Sequence, residues 1–136
     1  MDECLNLSLR KASRVMTQIY DDYLSSVGLR VGQFSILRAT HFTQPTTNSA
    51  LQEVLVLDQT TLTRNLKPLI RDGYITVRPS DEDKRLKELS LSNEGETLYQ
   101  QALPVWQEAQ DKITLELGDS CVASLLAVSD AVVGIK

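Results

Sequence analysis

Thr60, Thr61, Arg64, Lys67 and Arg71 lie in the stretch "QTTLTRNLKPLIR". At about 100° per residue, Thr60, Arg64, Lys67 and Arg71 share one side of a helix, flanked by Thr61 and Pro68. A guanidinium donates two parallel hydrogen bonds to a pair of acceptors such as guanine presents in the DNA major groove. An ammonium serves phosphate or base, and short hydroxyls let a helix backbone come close. The plainer reading is a solvated helix face whose cations suit the negative end of the helix dipole.

A second cluster follows at "SDEDKR", Ser80 to Arg85. From Arg64 to Lys87 there are seven cations and four acids. That window is +3 in a chain of net charge −4, so the remainder is −7. A local basic patch on an acidic body is an electrostatic footprint for a polyanion, although a solvated hairpin has the same composition. A cation at a β-turn tip can enter a minor groove, where the potential is most negative. Arg85 is the first candidate and Lys84 the second. Asp83 stands two residues before Arg85 and can hold it through a charge-assisted hydrogen bond. Alternatively the two merely pair at the surface and contribute little.

Other chemistries find less support. Cys4 and Cys121 are the two cysteines, without a CxxC, and cannot form a metal cluster alone. They read as small buried or half-buried thiols; Cys4, with Lys11 nearby in sequence, is the candidate for a redox-sensing thiol. His41 is the single histidine and reads as a packed or capping residue. No nucleophile motif or phosphate loop appears, and Asp21 and Asp22 are adjacent on a helix, where they do not face each other. Neither an enzyme nor a metal or cofactor is expected.

These groups need elements to position them. Leu5, Leu9, Ala12, Met16, Ile19, Tyr23 and Val27 mark an amphipathic helix ended by Gly28. Val31 to Phe42 predicts a second helix with Phe34, Ile36 and Leu37 inward. Thr43 to Ser49 reads as a loop, with Thr47 or Asn48 capping a short helix through Leu55. Asp58 is a good N-cap for the helix that carries the cations. Leu62, Leu66, Leu69 and Ile70 form its inward stripe, and Gly73 closes it. "YITVRP" and "LKELSLS" alternate with period two and flank the polar loop as a hairpin. Ser92 caps a long helix to about Leu117, with Leu98, Ala102, Val105, Ala109, Ile113 and Leu117 inward and Pro104 expected to bend it. A strongly apolar helix from about Ser120 closes the chain. The expectation is a mainly α chain with a small β-hairpin: a winged helix-turn-helix over residues 31–92. Residues 1–30 and 93–136 form a helical dimerisation region, too apolar to stand alone.

The stretch "LDQTTLTRNLKPLIRDGYITVRPSDEDKRLKELSLSNEGETLY" resembles the core of the MarR family of bacterial transcriptional regulators. The resemblance rests on the junction Leu69 to Ile75, the D-x-R of Asp83 and Arg85, and "LSNEG" from Leu91 to Gly95. Ser92 replaces the family's usual threonine and keeps a capping hydroxyl. The motifs cover residues 31–100, and the flanking helices match by arrangement. The resemblance implies a homodimer with interleaved terminal helices and two recognition helices in successive major grooves of a near-palindromic site. It also implies Arg85 in the minor groove, braced by Asp83, and release of DNA by a small apolar or phenolic ligand or by oxidation. Two departures are Pro68, which removes the donor for the Arg64 carbonyl, and the lack of a basic extension at either end. Phosphate contacts are then left to the central patch, and affinity should be modest and salt-sensitive.

Leu9, Met16, Tyr20, Tyr23, Phe34, Leu37 and Trp106 are candidates to line an apolar pocket between the two regions, or are simply core. The functional expectation is a sequence-specific, double-stranded-DNA-binding repressor acting as a homodimer. The alternative is a winged-helix module for protein contact without DNA. No run of about 18 apolar residues spans a membrane. "MDECLNLSLRKAS" puts acids where a secretory signal carries cations, so a cytoplasmic protein is expected.

Overall fold

A computed structural model describes residues 3–136. Met1 and Asp2, which open the stretch read as unlike a secretory signal, lie outside the described residues. Six α-helices and one hairpin follow in the expected order: α1 (Leu5–Leu24), α2 (Val31–Thr43), α3 (Asn48–Leu55), α4 (Gln59–Arg71), β1 (Ile75–Pro79), β2 (Lys87–Leu91), α5 (Asn93–Leu117) and α6 (Asp119–Val133). No helix among the described residues is long and apolar enough to cross a membrane.

The boundaries are set by local chemistry. A 3-10 turn, Ser25–Val27, extends α1 until Gly28 takes a left-handed φ of 74°. Side chains of Thr47, Asp58 and Ser92 accept backbone N–H bonds at the starts of α3, α4 and α5. The end of α4 is a Schellman closure: Tyr74 N–H donates to the Leu69 carbonyl at 2.9 Å and Gly73 N–H to that of Ile70 at 3.1 Å. Helix α2 is capped from a distance, because Asp21 of α1 accepts the Val31 N–H at 2.8 Å.

Helix α2 runs through the centre, with Phe34, Ile36 and Leu37 buried against Leu51 of α3, Leu62 and Leu66 of α4, and Tyr99 of α5. The hairpin is antiparallel, with Ile75 opposite Leu91 and Val77 opposite Leu89. The 43–49 loop is more ordered than its composition suggests. Thr46 and Leu89 exchange both backbone hydrogen bonds, at 2.9 and 2.7 Å, adding a one-residue third rung to the hairpin. The Gln44 side chain accepts the Leu91 N–H at 2.9 Å beside it.

Gly95 shows how tightly α5 meets the wing. A Cβ there would overlap the Tyr74 carbonyl oxygen. That same oxygen accepts the Ser92 N–H at 3.0 Å. The "LSNEG" run is therefore a packing requirement: a capping hydroxyl, and a residue without a side chain where the helix touches the junction.

Three expectations about burial are corrected. Ile70 is 38% exposed, because it lies about 80° around α4 from Leu62 and so at the edge of the stripe. On α5, Leu117 is 41% exposed because it ends the helix, and Val105 at mid-helix is only half-buried although Ala109 and Ile113 beyond it are buried. Both cysteines are exposed, not buried: Cys4 precedes the first turn of α1, and Cys121 sits on α6, which buries no residue. Helix α5 continues through Pro104 without interruption.

Candidate nucleic-acid interface

Helix α4 is held by its inner side. Leu62, Leu66 and Leu69 are buried, which turns Thr60, Arg64, Lys67 and Arg71 outward, all exposed. Asp58 fixes the helix start, its carboxylate accepting the Thr61 N–H at 2.6 Å. Hydrogen bonds from Thr61, and then the charge of Arg64, hold that carboxyl below the usual range. Among the described residues Arg64 and Lys67 enter no ion pair, so their charges face outward unspent. Arg71 differs. Its guanidinium grips both oxygens of Asp72, at 3.0 and 3.2 Å, which raises the Arg71 pKa and lowers that of Asp72.

Thr61 is half-buried and stands to one side of this face. It lines a mixed crevice of about 400 Å³ with Asn65, Arg30 and Asp21 and with the apolar Val31, Leu55 and Leu57, between α4 and the α1–α2 junction.

The wing carries the second group. Arg85 is almost fully exposed, with 92% of its side chain open. Asp83 receives it three times: from the Arg85 N–H at 3.0 Å, from Nε at 3.2 Å and from an Nη at 3.3 Å. The Arg85 side chain, and then its backbone N–H, hold the Asp83 carboxyl below its usual range. Lys84 is exposed beside it.

The histidine is structural in its surroundings. His41 Nδ1 lies 2.9 Å from a Glu96 oxygen, and its ring lies against those of Tyr99 and Phe42. The Gln100 amide, and then His41, lower the Glu96 pKa. Among the described residues no group of three His, Cys, Asp or Glu side chains could hold a metal.

The seven candidate pocket residues do not converge. Leu9, Met16 and Tyr20 line an open crevice of about 450 Å³ between α1 and α6, with Ala12, Val31 and Leu125. Tyr23, Phe34, Leu37 and Trp106 are not on its walls. Phe34 and Leu37 are core, and Phe34 stacks on Tyr99 and on Trp106, with centroids 5.8 and 5.5 Å away. Arg38 lies over the Trp106 ring at 4.7 Å. Burial raises the pKa of Tyr20, whose hydroxyl donates to the Gln110 side chain.

Ser80 and Val56 escaped the sequence reading. Ser80 is buried at the foot of the wing and its hydroxyl accepts two backbone amides. Only the serine before "DED" hinted at such a turn. Val56, between α3 and α4, has φ of 52°, left-handed and strained for a β-branched residue. Nothing in the sequence signals it.

Residues 29–87 match the model of the MarR family. An HTH-type transcriptional repressor of Bacillus subtilis, YetL, is 33% identical over 105 residues, which is 74% of this chain and 61% of that protein. The chain thus matches less than two thirds of that relative's length. Among solved structures, the Mycobacterium tuberculosis regulator MosR in complex with DNA is 34% identical with a TM-score of 0.77, covering 95% of this chain and 98% of that one. A mutant Escherichia coli MarR complexed with operator DNA is 25% identical with a TM-score of 0.85, over 94% and 92% of the two chains. These similarities are to transcriptional regulators, not to enzymes.

Proposed function

The chain belongs to the MarR family of winged helix-turn-helix transcriptional regulators, and from that membership we propose that it is a cytoplasmic repressor that binds a near-palindromic operator as a homodimer. Residues 31–92 read DNA, and residues 1–30 and 93–136 hold two copies together. The observation that carries this reading is the pairing of two prearranged cationic groups. Arg64 and Lys67 stand on the outer face of α4 without an ion pair among the described residues, and Arg85 stands braced at the wing tip. In this arrangement α4 enters a major groove with Thr60, Arg64 and Lys67 toward base edges, while Arg85 enters the adjacent minor groove. Lys84 and Arg71 serve phosphate, Arg71 more weakly because Asp72 neutralises it. Thr61, at the edge of the face, contributes at the helix start.

The dimer reading is supported by what the terminal helices expose. Leu5 and Leu7 on α1, Leu115 on α5, and Leu126, Val128 and Val133 on α6 are each at least half open to solvent. A second copy covers them. The crevice holding Leu9, Met16 and Tyr20 lies in the same region and is the place for an apolar or phenolic effector. Exposed Cys4 is the site for an oxidant.

Selection of duplex DNA from a random pool by the purified chain tests the reading. A recurring inverted repeat is expected; recovery of unselected sequence would contradict it. Titrating the complex with phenolic acids should release DNA. Peroxide release, if it occurs through Cys4, should vanish in Cys4→Ser.

A further inference from the structure

We propose that Ser80 is a positioning residue for DNA binding, its hydroxyl fixing the wing turn from which Asp83 aims Arg85. The inference rests on the DNA-binding reading above and adds to it the part that sets the wing tip. Ser80 is only 6% exposed, although Asp81, Glu82, Lys84 and Arg85 around it are open. Its hydroxyl oxygen accepts the amide of Glu82 at 3.2 Å and, at the long end of the range, that of Asp83 at 3.5 Å. Its own N–H donates to the Leu86 carbonyl at 2.8 Å, closing the base of the loop. The Leu86 N–H in turn donates to the Asp83 carbonyl at 2.9 Å. The Asp83 backbone is therefore restrained at its carbonyl and, more weakly, at its amide, which places the Cα–Cβ bond that carries its carboxylate. The carboxylate then takes the Arg85 N–H and guanidinium.

An exposed Asp–Arg pair by itself restrains little, because two solvated side chains lose entropy to hold one geometry. Here the carboxylate belongs to an organised turn, and the guanidinium is presented with its direction already chosen. Removing the Ser80 hydroxyl returns the Glu82 and Asp83 amides to water. The turn then samples several conformers, and Arg85 must be ordered at the moment of binding.

The test uses the full chain and a duplex that it selects from a random pool. Affinity is measured against salt for wild type, Ser80→Ala, Ser80→Asn, Arg85→Ala and the Ser80→Ala/Arg85→Ala pair. Ser80→Ala should weaken binding about 3- to 10-fold and flatten the salt dependence toward that of Arg85→Ala. Ser80→Asn should restore binding, because a carboxamide oxygen accepts from the same amides. The double variant should bind no more weakly than Arg85→Ala alone. If Ser80→Ala does not fold, Ser80→Cys, close in shape but a poor acceptor, carries the same comparison. Wild-type affinity in the Ser80 variant, or a full additive loss in the pair, overturns the proposal and leaves the wing reading standing. Wild-type affinity in Arg85→Ala overturns the wing reading and the Ser80 proposal with it.

Discussion

Helices α4 and α6 have similar lengths, 13 and 15 residues, and opposite surfaces. Helix α4 buries three leucines in its own chain and turns hydroxyls and cations outward. Helix α6 buries nothing and presents Leu126, Val128, Val132 and Val133 to solvent. A helix whose apolar stripe is already covered offers its other face to a polar partner, in which each contact replaces one with water. A helix whose apolar side chains are uncovered is incomplete as a protein surface, and the hydrophobic effect drives it toward another apolar face. On the proposed reading the two helices serve two different partners, nucleic acid and a second copy.

The contrast can be broken first in the completed module. Gly95→Ala puts a methyl group into the Tyr74 carbonyl, where the wing root meets α5, and should destabilise the chain by about 3 kcal/mol in urea denaturation. A loss below about 1 kcal/mol would mean that α5 and the junction slide apart easily. Next in size is the incomplete surface. Leu126→Lys places an unpaired charge on the apolar face of α6 and should weaken self-association by about 100-fold or more, measured by sedimentation. An unchanged association constant would remove α6 from the dimer contact.

Arg64→Ala sharpens the polar side of the contrast. It should cost about 1–3 kcal/mol of operator binding and relax base preference at one position, whereas Arg85→Ala should weaken A/T-rich flanks most. A smaller effect lies at the turn before α4. Val56→Gly relieves a left-handed β-branched residue that is 67% exposed, so little burial is lost. It should stabilise the chain by roughly 0.5–1 kcal/mol after glycine's greater unfolded entropy is counted, read as a raised melting temperature.

The smallest effect is one of pH. The Asp58 and Asp83 carboxyls sit below their ordinary values because backbone and side-chain donors hold the charged form. A depressed folded pKa means that the carboxylate contributes stability above its unfolded pKa and loses it as pH falls through the folded one. Stability of the wild type should therefore decline below about pH 4 more than that of Asp58→Asn. Parallel declines would show that the cap carries no share.

Local signals were the legible ones. Asp58, Ser92 and Gly73 act within a few residues of themselves, so the start and end of α4 and the start of α5 could be read directly. The outward face of α4 followed from the spacing of Leu62, Leu66 and Leu69. What escaped depends on elements distant in sequence. Asp21 caps α2 only because α1 folds back beside Val31, and Thr46 pairs with Leu89 only because the wing lies against the loop. Phe34 and Leu37 have the composition of pocket walls but are enclosed once α5 brings Tyr99 and Trp106 over them. Cys4 and Cys121 carry no periodic mark, and their exposure follows from their places, before the first turn of α1 and on α6, which buries no residue. The strain at Val56 is a backbone property with no residue-type cue, since valine is among the residues that avoid it.

The central claim is that two copies set their α4 faces into one duplex at a fixed separation. The direct test compares the affinity of the purified chain for its selected inverted repeat with its affinity for the same repeat after about 5 base pairs, half a helical turn, are inserted between the half-sites. The account predicts a fall of about 100-fold or more, because the insertion carries the second groove to the far side of the helix. Equal affinity for the two duplexes would contradict it.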